Sequence, residues 1–172
     1  MALKPPRTME AGDLQRARSF DCGVVALNEW LRRFAWQNHN SGGARVYLSI
    51  DDDQDRVAGY YCLSAAAIEY VATPDRISKG LAHHPIPCVL IGRLAADQRY
   101  SGLGLGHFLV RDAFQRILET ADRVGVRAIV VQAKDEAAAE FYRHLGFIES
   151  VQDARLFLMT LKDARKSLAA AK

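Results

Sequence analysis

The chain has 172 residues, 49% of them hydrophobic, and a formal net charge of +3, a size that suits one domain with a sizeable core and leaves little room for a second. No apolar run approaches the roughly 20 residues that span a bilayer, and the start Met1-Ala2-Leu3-Lys4-Pro5-Pro6 has no hydrophobic signal core. Cys22, Cys62 and Cys88 are an odd set without metal-ligand spacing, so a cytoplasmic protein with reduced structural thiols, no metal and no membrane partner is expected.

In chain order, a short extended start at Arg7-Thr8-Met9 precedes a helical third in which Leu27, Trp30, Leu31 and Phe34 recur at the i, i+3, i+4, i+7 spacing of a buried stripe. Arg33, Trp36 and Gln37 turn to another face, and Asn40-Ser41-Gly42-Gly43 breaks the helix. Arg45 to Ile50 and Val57 to Tyr70 predict two antiparallel strands, joined by the acidic turn from Asp51 to Asp55. Thr73 to Pro87 reads as a loop, with His83 and His84 on its surface. Cys88 to Ala96 predicts a strand that runs into Arg99-Tyr100-Ser101-Gly102-Leu103-Gly104-Leu105-Gly106.

Beyond the glycines, Val110, Phe114, Ile117 and Ala121 line one helical face and Asp112, Arg116, Glu119 and Arg123 the other, with Gly125 as the stop. Ala128-Ile129-Val130-Val131 is a short buried strand. Asp135 is placed to cap a helix from Glu136 to Leu145 that Gly146 ends, Arg155 to Leu161 makes a last strand, and residues 165–172 form a flexible tail. The pattern is α+β with a mixed sheet.

Three alternating glycines between a strand and a helix suit a phosphate site. Glycine lets the main chain approach a ligand closely, and a helix N-terminus supplies free N–H groups and positive potential. A tight strand-to-helix turn is the other reading. His107-Phe108 follows Gly106 where a Walker loop needs Lys-Ser or Lys-Thr, and position 107 is histidine where the dinucleotide fingerprint needs glycine. Arg16, Arg18, Arg32, Arg33, Arg45, Arg76, Lys79 and Arg93 all precede the loop, as a solvated surface or as a nucleic-acid face.

Strand Val89 to Asp97, the loop Arg99 to Gly106, strand Ala128 to Gln132, and Asp135-x-x-Ala138-x-x-Phe141-Tyr142-x-x-x-Gly146-Phe147 together resemble the GNAT acetyltransferase superfamily. A narrower likeness spans nearly the whole chain: Phe20-Asp21-Cys22-Gly23, Leu27-x-x-Trp30-Leu31, Gly59-Tyr60-Tyr61, Gly92-Arg93-Leu94-Ala95 and Phe141-Tyr142 resemble the toxin branch of type II toxin–antitoxin modules, the TacT-like enzymes. The resemblance implies a three-layer fold with a mixed, mostly antiparallel central sheet flanked by helices. It implies acetyl-CoA as co-substrate, with its thioester at Leu94, Ala95 and Ala96. The pyrophosphate falls on Ser101, Gly102, Leu103, Gly104, Leu105 and Gly106, with Arg99 or Ser101 at the side-chain position, and Gln132 and Asp135 are further cofactor-binding residues. Also implied are an aminoacyl-tRNA acceptor, a ribbon-helix-helix antitoxin and a homodimer.

Acetyl transfer from a thioester to an amine needs a neutral amine, a polarised carbonyl and a proton for the leaving thiolate. On pattern alone Tyr142 belongs to the buried stripe Ala138, Phe141, Tyr142, Leu145; its family position makes the hydroxyl the general acid. His107, Asp135, Glu136 and His144 are the candidate bases. An α-amino group with pKa near 8 is about a tenth neutral at pH 7, far more than a lysine near 10.4, so an aminoacyl acceptor lessens the need for one. Arg33, Trp36, Arg45 and Arg93 are the candidate tRNA contacts, combining charge with a stacking ring. A GNAT acting on a small amine, an antibiotic or a protein N-terminus is the rival enzyme, and a non-catalytic acyl-CoA-binding regulatory module the rival of another class.

Overall fold

The computed structural model describes residues 1–170. Its elements are β1 (Arg7–Thr8), α1 (Asp13–Arg16), a 3-10 turn at Ala17–Ser19, α2 (Val25–Glu29), a π-helical segment at Trp30–Phe34, α3 (Ala35–Ser41), β2 (Arg45–Asp51), β3 (Arg56–Ile68), α4 (Asp75–Ser78) and β4 (Ile86–Ala96). After a 3-10 turn at Gln98–Tyr100 come α5 (Leu105–Ala121), β5 (Ala128–Gln132), α6 (Glu136–His144), β6 (Ile148–Glu149), β7 (Leu156–Thr160) and α7 (Leu161–Ala170). The seven strands form one mixed sheet in the order β1-β2-β3-β4-β5-β7-β6. Of its pairings, β4 with β5 is parallel, and β1 with β2, β2 with β3, β5 with β7 and β6 with β7 are antiparallel.

Two compact units are distinguished within the chain. One comprises Met1–Ser64 and Gly92–Ala113, and the other Ala65–Ile91 with Phe114 onward. The boundary falls inside β3, β4 and α5, so no linker or shift of composition marks it.

In the first unit the core gathers Phe20, Trp30 and Leu31 with Val46, Leu48, Val57 and Tyr60. Leu48 stands opposite Tyr60 and Val46 opposite Cys62 across the β2–β3 ladder. Gly59 is required by close packing: a Cβ there would meet Leu109 Cδ1 at 2.9 Å and the Ala95 carbonyl at 3.2 Å. The predicted stripe departs at Phe34, which is 48% exposed while Ala35 is fully buried. The π-helical turn from Trp30 to Phe34 advances the register by one residue, so Ala35 takes the inward place that regular α-helical spacing gives Phe34.

In the second unit Ile77, Ile86, Cys88, Ala128, Val130 and Leu158 form the core. Ala128 to Val131 are all buried, the continuous apolar run expected of a strand covered on both faces. The helix that Gly125 was expected to stop ends at Ala121. The Thr120 hydroxyl donates to the Arg116 carbonyl at 2.9 Å, and the amides of Arg123 and Val124 close onto the Thr120 carbonyl. The predicted loop from Thr73 to Pro87 contains α4 and the start of β4, and β6 was not foreseen. The predicted flexible tail is helical as far as Ala170: the Thr160 hydroxyl accepts from the Asp163 amide at 3.0 Å, and Ala164 is buried. Residues 171 and 172 lie outside the described residues.

Candidate active site

In the first unit, β4 ends at Ala96 and the chain enters the glycine loop through Asp97. Its carboxylate, 1% exposed, accepts from the amides of Arg99 and Asp21, both at 2.9 Å, and from Arg99 Nε at 2.8 Å. Burial raises the Asp97 pKa, but the bonds from the Arg99 side chain and from the Arg99 and Asp21 amides outweigh it and hold the carboxyl below its ordinary value. Asp21 in turn accepts from the Gly23 amide and from Asn28, each at 2.9 Å. The segment at 21–23 and the root of the glycine loop therefore form one hydrogen-bonded clamp. Asp97 and Asn28 escaped the sequence reading, although an acid directly after an apolar strand and two residues before an arginine was a visible signal.

Arg99 is the position where the clamp bears on the predicted site. Its Nε and Nη2 engage Asp97 and its Nη2 also donates to the Ser19 carbonyl, so the side chain is anchored toward the protein. Ser101 is exposed directly after the 3-10 turn. Gly102 and Gly104 both adopt positive φ, +78° and +75°, and a Cβ at either would meet nothing within 4 Å. Their glycine character is thus required by backbone conformation, and the space beside them is open. Leu103 is exposed between them, whereas Leu105, the first residue of α5, is buried. The first amides of a helix have no intrahelical partner, so this N-terminus offers donors beside the exposed glycines.

Elsewhere in the same unit, Arg93 of β4 lies over the Trp30 ring, 4.3 Å from its centroid. Trp30 is stacked in turn on Tyr60, with centroids 5.9 Å apart and an interplanar angle of 12°. Burial pushes the Tyr60 phenol and the Cys62 thiol above their ordinary values, which leaves both protonated. Arg33 and Arg45 are exposed. Trp36 is half-buried against the core and stacks on His39, centroids 6.0 Å apart, so this ring is less available than the helical pattern suggested. His39 accepts from the Val46 amide at 3.0 Å and is held neutral by burial and by Arg45.

In the second unit, α6 presents Tyr142, 7% exposed, edge-on to Phe141 and Phe147 with centroids 5.5 Å away in each case. Gly146, at φ +101°, reverses the chain so that the Phe147 amide bonds the Tyr142 carbonyl at 3.0 Å. Among the described residues nothing hydrogen-bonds the Tyr142 hydroxyl, and burial pushes its pKa up to about 12. The phenol is therefore a proton donor throughout the neutral range.

The other candidates of this unit divide. Asp135 caps α6 by accepting from the Ala138 amide at 2.8 Å. Glu136 accepts from Arg143 at 2.8 Å, which holds its carboxyl low and makes it a weak base. Gln132 and His144 are exposed, as is His107 of the first unit.

A family model described as "Acetyltransferase (GNAT) domain" matches residues 42–149. A curated relative, the "tRNA-acetylating toxin" of Mycobacterium tuberculosis (strain ATCC 25618 / H37Rv), is 37% identical over 161 residues, covering 94% of this chain and 93% of its own. The structure of AtaT complexed with acetyl-methionyl-tRNAfMet matches with a TM-score of 0.86 and 30% identity, over 96% of this chain and 98% of that one. A tyrosine-to-phenylalanine mutant of AtaT, bound to the C-terminus of the antitoxin AtaR and acetyl-CoA, matches with a TM-score of 0.79 and 29% identity, over 98% and 99%. With its mixed sheet, its strand–glycine loop–helix unit and this family match, the chain belongs to the GNAT acetyltransferase family.

Proposed function

We propose that the protein is a toxin that moves the acetyl group of acetyl-CoA onto the amino group of an aminoacyl-tRNA and so removes that tRNA from translation. The observation that carries the reading is the open, positive-φ pair Gly102 and Gly104 at the head of α5, a cradle suited to a pyrophosphate. Support for the acceptor comes from the relative named as a tRNA-acetylating toxin and from AtaT bound to acetyl-methionyl-tRNAfMet. The whole chain, 1–172, works as one catalytic domain in the cytoplasm. It acts as a homodimer and is silenced by an antitoxin of ribbon-helix-helix type; the AtaT structure bound to the C-terminus of AtaR supports the antitoxin as a partner.

In the proposed reaction the loop amides from Gly102 to Gly106 hold the pyrophosphate, and Arg99, anchored on Asp97, steadies the loop rather than touching the cofactor. Backbone N–H groups at Leu94, Ala95 and Ala96 polarise the thioester carbonyl, an arrangement worth about 3 kcal/mol in a transition state. The neutral α-amino group attacks that carbon, a C–N bond forms and the C–S bond breaks. Tyr142 gives its phenolic proton to the departing thiolate, whose conjugate acid titrates near 8.5, and the acetylated nitrogen releases a proton to solvent. Arg33, Trp36, Arg45 and Arg93 bear on the RNA, Arg93 from its place over the Trp30 ring.

The test is incubation with acetyl-CoA and bulk charged tRNA, then hydrolysis of the aminoacyl ester and mass spectrometry of the released amino acids. N-acetylated amino acids are the expected product; free amino acids alone would defeat the reading.

A further inference from the structure

The second unit holds a cavity that none of the residues given a role in the proposed reaction lines. Its volume is about 480 Å³, within the range of ligand pockets, and its walls are Arg76, Val126, Arg127, Thr160, Leu161, Lys162 and Arg165. Four of these are cations and none is acidic. The cavity lies where β5 begins, and Gln132 lies where it ends, so a strand of about 16 Å separates it from the cofactor candidates of this unit.

The cations are not equivalent. Arg76 is already matched, its guanidinium forked onto Asp163 at 2.7 and 3.1 Å. Arg127 donates Nε to the Ile77 carbonyl at 2.8 Å and Nη2 to the Lys79 carbonyl at 3.0 Å, which fixes its position without neutralising its charge. Lys162 and Arg165 are exposed one turn apart on α7, and among the described residues neither has an ion-pair partner. Leu161 and Lys162, the first residues of α7, line the same space, so the positive end of the helix lies beside it, although the Asp163 amide is already taken by the Thr160 hydroxyl.

We propose that this cavity is a phosphodiester-binding subsite for an RNA strand. The naming of that strand as the acceptor-bearing tRNA rests on the function proposed above. The arrangement suits phosphates better than an acidic peptide. Arg76 is taken by the chain's own Asp163, whereas Arg127, fixed on two carbonyls, and Lys162 and Arg165, exposed on flexible stems, spread three positive charges along the cavity. Cations spread in this way follow the repeating, singly charged phosphate backbone and read no sequence.

The test uses the full chain with Lys162→Glu and Arg165→Glu together, and a milder pair, Lys162→Gln with Arg165→Gln, as a check that folding is kept. Uncharged bulk tRNA is the probe, followed by fluorescence anisotropy over a range of salt. Both pairs should melt as the parent does and bind acetyl-CoA equally well. The glutamate pair should bind tRNA at least about tenfold more weakly, with the salt slope reduced by about two phosphates' worth. Unchanged tRNA affinity and slope would overturn the proposal, as would a poly-glutamate peptide that binds in a Lys162- and Arg165-dependent way while tRNA binding is unmoved. Cavity-dependent binding of tRNA by a protein that acetylates no charged tRNA would uphold the subsite and defeat the reaction; unaltered KM for charged tRNA in an active double variant would do the reverse.

Discussion

The carboxylate of Asp97 fixes Arg99 from two sides, accepting the backbone amide at 2.9 Å and Nε at 2.8 Å, at the point where β4 gives way to the glycine loop. Replacing Asp97 with Asn removes the charge that anchors the guanidinium while keeping the size. The expected result is a KM for acetyl-CoA raised about tenfold or more with a smaller change in kcat, because charge-assisted bonds of this kind position the loop. The pKa shift has a second consequence. A carboxyl held below its unfolded value of about 4 contributes stability that is present above that pH and lost as pH falls through the lower folded value. Melting curves between neutral pH and about pH 3 should therefore show a steeper acid decline in the parent than in Asp97→Asn.

Gly104→Ala tests the backbone cradle without a steric clash, since a Cβ there meets nothing within 4 Å. The strain of placing alanine at φ +75° costs about 1 kcal/mol, a drop of a few degrees in Tm. Calorimetric titration with acetyl-CoA should show a larger effect, a weakening of about tenfold, if the amides there meet the pyrophosphate. Equal affinity would place the pyrophosphate elsewhere.

Tyr142→Phe keeps the ring among Phe141, Phe147 and Phe157 and removes only the hydroxyl. The expectation is kcat lowered by about 10²–10⁴ with acetyl-CoA affinity within about threefold of the parent. Because burial pushes the phenol up to about 12, the rate should rise as the α-amino group of the acceptor deprotonates near 8 and then stay level to about pH 10. A basic limb falling below pH 9 would point to another acid. A variant with undiminished turnover would remove Tyr142 from the chemistry.

Reversing Arg33 and Arg45 to Glu, both on the surface, should weaken aminoacyl-tRNA binding without altering acetyl-CoA binding. The slope of log affinity against log salt should fall by about one for each phosphate that the variant no longer neutralises. Acetylation with an unchanged KM and salt dependence would sink this patch.

The elements with strong local chemistry were legible in the sequence. Asp135 caps α6 and Gly146 ends it because both signals act within a turn, and the buried run Ala128 to Val131 declares a covered strand. What failed to show depended on partners distant in sequence or on backbone irregularity. The π turn at Trp30–Phe34 turned Phe34 outward, although regular spacing placed it in the core. Arg99 satisfied the letters of the loop motif, yet its guanidinium answers to Asp97 and to the Ser19 carbonyl, 80 positions away. Trp36 looked like an open stacking ring until His39, three residues on, covered it. The cavity around Arg127 and Arg165 is assembled from α4, the segment leading into β5, the end of β7 and α7, elements distant in sequence.

One competition measurement addresses the central claim. The protein is given acetyl-CoA labelled in the acetyl group together with a mixture of charged tRNAs, free amino acids and small polyamines, and the label is followed to its acceptor. Label on the amino group of aminoacyl-tRNA, lost on prior deacylation of the tRNA and on Tyr142→Phe, is the predicted result. Label confined to amines that carry no tRNA would contradict it.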